Sequence, residues 1–209
     1  MSEVTRIPRW SERPEEGFGT VDAPWPESAD VLAAKLGTPA ETVLFTAFAR
    51  VVALLVVEDS VTVGFRDETG AVLAAEVPLD APTWRGLAGA AGEAAKRAGR
   101  SAEGLDAVFG RDPSAPLSVW RDGDRLHVRH SLRDFDAAHA RRVAGYLVRA
   151  LNAMAADPDA EHAGDGLLSE AERRHQLDER NGRVRELPDA RFHEILSARA
   201  REHPDRVAV

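Results

Sequence analysis

The chain has 209 residues, with 27 basic and 35 acidic side chains and no cysteine. That length and 44% hydrophobic content suit one domain, or one domain with a tail, built on a real core. The lack of cysteine excludes a disulfide scaffold, a thiolate nucleophile and cysteine-ligated metal. The net charge of −8 argues against non-specific nucleic-acid binding, which needs cations to displace phosphate counterions.

Met1 to Glu27 carries four prolines and three large aromatics, Trp10, Phe18 and Trp25. It reads as an extended leader (1–27) that its aromatics pack onto the body, because disordered tails are poor in such residues. Ser28 is the expected cap of a helix Ala29–Leu36 closed by Gly37. Thr38, Pro39 and Glu41 then have the spacing of a capping box. The helix that follows is apolar nearly all round, so it belongs deep in the core. Val61–Phe65 and Ala71–Val77, joined by an acidic glycine turn, read as a hairpin. Thr83 starts a helix whose Gly86, Gly89 and Gly92 permit close backbone approach. A second hairpin joins Leu117–Trp120 to Arg125–Ser131. Asp136 caps a helix whose Val143, Tyr146, Leu147, Ala150, Leu151 and Met154 share one face.

From Glu161 the texture changes. Ser169 and Glu172 suggest a capping box for a short charged helix stopping at Asn181-Gly182. Another helix is expected from about Arg191 to His203, and Val207-Ala208-Val209 reads as the start of a strand cut off. The expected divisions are therefore the leader, a body at 28–160, and a linker segment at 161–209. Antiparallel strands with helices on one face make this α+β, a two-layer sandwich. Met1 to Phe18 has no apolar signal region, and the longest apolar run, Val51–Val57, is too short to span a bilayer, so a soluble cytoplasmic chain without a membrane partner is expected.

His130 and Asp134 stand in His-Ser-Leu-Arg-Asp, the His-x-x-x-Asp spacing of acyltransferases with a histidine general base. Phe135 replaces the glycine such enzymes place after the aspartate, and Arg129 replaces the second histidine of peptide-forming members. A strand running into a helix cap yields the same string, so no catalytic residue is assigned. His130 and Asp134 remain the candidate pair if the chain is a small acyltransferase. His193-Glu194 opens like a zinc motif but meets Ser197 where the second histidine should stand. His127 and His130 fall on opposite faces of a regular strand, and His139, His162, His175 and His203 read as surface residues. No metal site and no cofactor site is expected, and no phosphate-binding glycine loop occurs. Trp84 and Trp120 could anchor an interface or could equally cover the sheet.

The run Leu167-Leu168-Ser169-Glu170-Ala171-Glu172-Arg173, then Asn181-Gly182, Leu187-Pro188-Asp189, Phe192-His193-Glu194-Ile195-Leu196 and His203-Pro204-Asp205-Arg206-Val207-Ala208-Val209, resembles the junction between condensation and adenylation domains of nonribosomal peptide synthetases. Upstream, Arg125–Asp159, Ala40–Gly64 and Val77–Leu87 resemble pieces of the C-terminal lobe of a condensation domain. The resemblance implies half of a chloramphenicol-acetyltransferase-like fold. The family's active motif, His-His-x-x-x-Asp-Gly, belongs to the other lobe, so it implies no catalysis here, with His130 far from the catalytic position. The family's long excursion before the last hairpin is reduced to Phe109–Pro116. The implied partner is an adenylation domain of the same polypeptide, with this segment as its structural brace. The alternative is a platform recruiting an in-trans tailoring enzyme or a carrier protein on the face a second lobe would cover, which is apolar in the family.

Overall fold

The structure is a computed structural model that describes residues 5–67, 69–99, 104–163, 166–175 and 191–204. It divides into two compact units, Met1–Ser169 and Glu170–Val209.

The first unit is a single mixed sheet with helices on one face. In chain order its elements are β1 (Phe18–Pro24), α1 (Glu27–Leu36), α2 (Ala40–Val56), β2 (Ser60–Arg66), β3 (Val72–Pro78), α3 (Trp84–Arg97), β4 (Ala107–Phe109), β5 (Leu117–Asp122), β6 (Arg125–Ser131) and α4 (Ala137–Ala156). The sheet order is β1-β6-β5-β4-β2-β3. The strands are not all antiparallel as expected. β4 runs parallel to both β2 and β5, and it joins the two antiparallel hairpins into one sheet. At three residues it is too short for periodicity to reveal.

Within the leader, Phe18–Pro24 forms β1, an edge strand paired antiparallel with β6 from Phe18↔Ser131 to Pro24↔Arg125, a pairing the sequence did not announce. A segment with a single β-branched apolar residue flanked by prolines carries a weak strand signal, and proline is tolerated at an edge.

Both hairpins form as read. In the first turn the Asp67 carboxylate accepts from the amides of Thr69 and Ala71, each at 2.9 Å. Thr83 caps α3 by accepting from the Gly86 amide, and Asp136 caps α4 by accepting from the His139 amide at 2.8 Å. The two earlier capping expectations fail. Gly37 turns left-handed at φ 63°, and the Thr38 amide donates back to Ala33 O, so Thr38 serves the end of α1 instead of the start of α2. No side chain caps α2, which follows Pro39 directly. α1 begins at Glu27 after Pro26, and the Ser28 hydroxyl meets Asn152.

The core lies between the sheet and the helices. Val61, Val63, Val77, Leu117, Val119, Leu126 and Val128 meet Phe45, Phe48, Leu87, Leu147 and Leu151 there, all fully buried. The opposite face carries a much smaller apolar cluster, Leu105, Val108 and Ala115, packed with Val72 and Ala74. The shortened 110–116 loop lies over it. Asp112, 5% exposed, holds this loop by accepting from the amides of Ser114 and Ala115 and by pairing with Arg66. Burial opposes ionisation of Asp112, but the donors from Ser114, Ala115 and Arg66 outweigh it and hold the carboxyl below its ordinary value.

The first unit extends past residue 160. Glu161 bridges to Thr83, Leu167 is 3% exposed, and Arg149 donates to Leu167 O at 2.5 Å. The second unit contains α5 (Glu170–Arg174) and α6 (Phe192–Glu202). The Arg191 amide donates to the Glu194 carboxylate at 2.8 Å at the start of α6. The stop at Asn181-Gly182 and the strand at Val207–Val209 lie outside the described residues. No single helix among the described residues is long and apolar enough to cross a membrane.

Candidate functional site

His130 sits on β6 with its side chain on the helix side of the sheet, beside Leu126 and Val128, and is 1% exposed. Neither ring nitrogen has a hydrogen-bond partner among the described residues. Burial pushes its pKa below the ordinary value, which keeps the ring neutral. Asp134 points elsewhere. Its carboxylate meets Arg9 Nε at 3.2 Å, and its carbonyl accepts from the amides of Trp10 and Ser11 at 2.7 and 3.0 Å. The two residues thus share a sequence motif without sharing a hydrogen bond. A general base needs an orienting partner on one nitrogen and access to a proton on the other, and His130 as placed has neither.

Trp84 is 3% exposed, within the core cluster, so it offers no surface to a partner. Its ring lies against His162, which is itself 4% exposed rather than a surface residue. His162 Nε2 donates to Ala81 O at 2.6 Å, and its carbonyl accepts from Arg50 Nε at 3.2 Å. Burial lowers its pKa too. The sequence signal for this was hidden, because the surrounding Glu161–Gly166 composition is that of a linker.

Trp120 lies on the open face of the sheet, half-buried. It stacks on His127 at 5.0 Å and 16°, and Arg111 lies 5.7 Å from its ring. His127 Nδ1 is 2.7 Å from the Asp22 carboxylate, and Arg129 covers the Phe18 ring at 3.6 Å. His127 and His130 do point to opposite faces. Around Trp120 this open face carries ring, cation and carboxylate pairs. In the first unit the described exposed large apolar residues are Phe18, Val31 and Val57, scattered over β1, α1 and the end of α2. In the second unit Phe192, Ile195 and Leu196 stand exposed along one stretch of α6. Among the described residues no three metal-ligating side chains cluster.

No family model matches this chain, and no curated protein matches it. Solved structures do. The X-domain in complex with OxyB from teicoplanin biosynthesis matches with TM-score 0.64 at 16% identity, over 81% of this chain and 53% of that one. The condensation domain of the monacolin K polyketide synthase MokA matches at 0.59 and 11% identity, over 77% of this chain and 54% of that one. The chain has the fold of half a condensation domain. It spans about half the length of these condensation and X-domain relatives. The four-domain nonribosomal peptide synthetase AB3403, bound to AMP and glycine, matches at 0.67 and 11% identity over 97% of this chain and 22% of its own. A match that wide takes in most of Glu170–Val209 as well as the condensation-like body.

Proposed function

We propose that this chain is a non-catalytic, condensation-like segment of a nonribosomal peptide synthetase that braces a following adenylation domain. The observation that carries the reading is the state of His130. The one histidine with acyltransferase spacing is buried and shares no hydrogen bond with Asp134, which supports a body that keeps the condensation fold without using His130 as a base. Two further features support a brace. The matches to multidomain synthetases extend over the second unit, and α6 bears an exposed Phe192, Ile195 and Leu196, an apolar helix stretch suited to burial against another domain.

The test is removal of Met1–Ser169 from the complete natural polypeptide, cut at the observed end of the body. Soluble yield and amino-acid-dependent ATP–pyrophosphate exchange are expected to fall together. A second reading, recruitment of an in-trans tailoring enzyme or carrier protein, is favoured by one specific likeness, to the X-domain solved with OxyB. It predicts that both measurements stay unchanged while final product is lost. Reduced product from His130→Ala at unchanged yield would instead revive the acyltransferase reading.

A further inference from the structure

Residues 5–17 do not pair as a strand, yet they are tied to the body at four separate places across the end of the sheet. β4 reaches only Gly64 and Phe65 of β2, so the Thr62 amide on that edge meets no strand. It donates instead to Thr5 Oγ1 at 2.9 Å. Asp106 receives the Ile7 amide at 3.2 Å and Arg6 Nη1 at 2.7 Å. Asp134 receives the amides of Trp10 and Ser11 on its carbonyl and Arg9 on its carboxylate, while the Trp10 ring meets Phe135 edge-on at 5.7 Å. Last, the Glu15 amide donates to Leu132 O, and the Leu132 amide donates to Gly17 O. Between the third and fourth ties the chain is exposed. An open recess of about 460 Å³ is lined by Arg9, Glu15 and Phe18 of the leader and by Ser131, Arg133 and Asp134 of the body.

This is how an extended peptide binds: main-chain donors fix the register, and side chains at intervals supply the selectivity. Ile7 and Thr5 are 7% and 4% exposed, while the Arg6 and Arg9 side chains are 66% and 78% exposed. The grip therefore combines two buried anchors, Thr5 and Ile7, with two ion pairs whose arginines are solvated while Asp106 and Asp134 are 18% and 12% exposed; solvation of the cation limits what each pair contributes. We propose that the strip formed by Thr62, Asp106, Asp134 and Phe135 is a peptide-binding site for extended segments of the pattern basic–apolar–x–basic–aromatic, and that Arg6-Ile7-Pro8-Arg9-Trp10 occupies it in cis as a releasable strap. Asp134, the acid of the apparent acyltransferase motif, is then a specificity residue of this strip. The inference does not depend on the brace reading, since it concerns only the first unit.

The test uses the full chain and a labelled synthetic peptide, residues 5–17. Hydrogen exchange comes first. The amides of Ile7, Trp10, Ser11 and Glu15 are expected to exchange as one group, at least tenfold faster than the β5–β6 amides yet slower than unprotected chain. Exchange only together with the β5–β6 amides would overturn the proposal, because the strap would be inseparable from the fold. So would exchange at unprotected rates. The full chain carrying Arg6→Ala, Arg9→Ala and Trp10→Ala is then expected to bind the peptide saturably, at least tenfold more tightly than the unmodified chain does. A peptide with its Trp10 position changed to Ala is expected to lose that gain. Equal binding of the two peptides, or none by a folded triple variant, would overturn the proposal. If the triple variant does not fold, the milder Arg9→Ala chain is used with the same criteria.

Discussion

Gly19 and His130 face each other across the β1–β6 pair, and a Cβ placed on Gly19 would lie 2.6 Å from the His130 ring. The histidine occupies the space that a side chain on β1 would need. Gly19 therefore serves close approach, not backbone freedom. Gly19→Ala is expected to destabilise the chain by about 1–3 kcal/mol through overpacking. Combining it with His130→Ala should recover part of that loss, a coupling of about 0.5–3 kcal/mol in a double-mutant cycle. Urea unfolding of the four proteins measures it, and strict additivity would contradict the contact.

Two buried histidines set an acid limit on stability. Burial lowers the pKa values of both His130 and His162 from 6.5, so the unfolded chain binds protons that the folded chain does not. The stability associated with their neutral forms is fully present above pH 6.5. It declines as pH falls below 6.5 and levels off once pH is below the folded values. The Val128 backbone and the Asp136 charge favour the protonated His130 ring and Arg129 disfavours it, without reversing the direction. Held low by their partners, Asp30, Asp112 and Asp136 act in a separate window below their ordinary 3.8. Unfolding free energy measured from pH 7.5 to 5 should fall, and His130→Leu should reduce the slope. An unchanged slope would show that His130 is accessible to protons in the folded state.

Val57 closes α2 in a left-handed conformation, φ 58°, with 90% of its surface exposed. A β-branched residue there costs about 1–2 kcal/mol that glycine does not incur. Val57→Gly is expected to stabilise the chain by about 1 kcal/mol after glycine's greater unfolded-state freedom is counted. Thermal unfolding would register this as a higher Tm, and a lower one would contradict a strained Val57.

The two tryptophans that composition could not tell apart should separate experimentally. Trp84→Ala removes a core ring and is expected to cost about 3–5 kcal/mol. Trp120→Ala loses its stack with His127 at the surface, at about 0.5–1.5 kcal/mol. Equal costs in denaturant titration would put Trp120 in the core as well.

Much of this architecture was legible where local chemistry settles local structure. The caps at Thr83 and Asp136, both hairpins and the apolar face of α4 follow from turn residues and periodicity. β1 and β4 were hidden because an edge strand needs little hydrophobicity and a three-residue strand has no period. Thr38 misled because a helix end competed for its amide. For the candidate site, the sequence supplied the spacing of His130 and Asp134 but not their divergence. That divergence arises from where the leader docks, a contact more than a hundred residues distant in sequence. His162 was hidden in linker-like composition for the same reason, since long-range packing on Trp84 decides its burial.

The measurement that bears most directly on the brace reading is thermal inactivation of amino-acid-dependent ATP–pyrophosphate exchange. It compares the complete natural polypeptide with the same polypeptide lacking Met1–Ser169. The account predicts that the shortened form loses exchange activity at a clearly lower temperature, in step with its loss of solubility. Identical inactivation curves would contradict it.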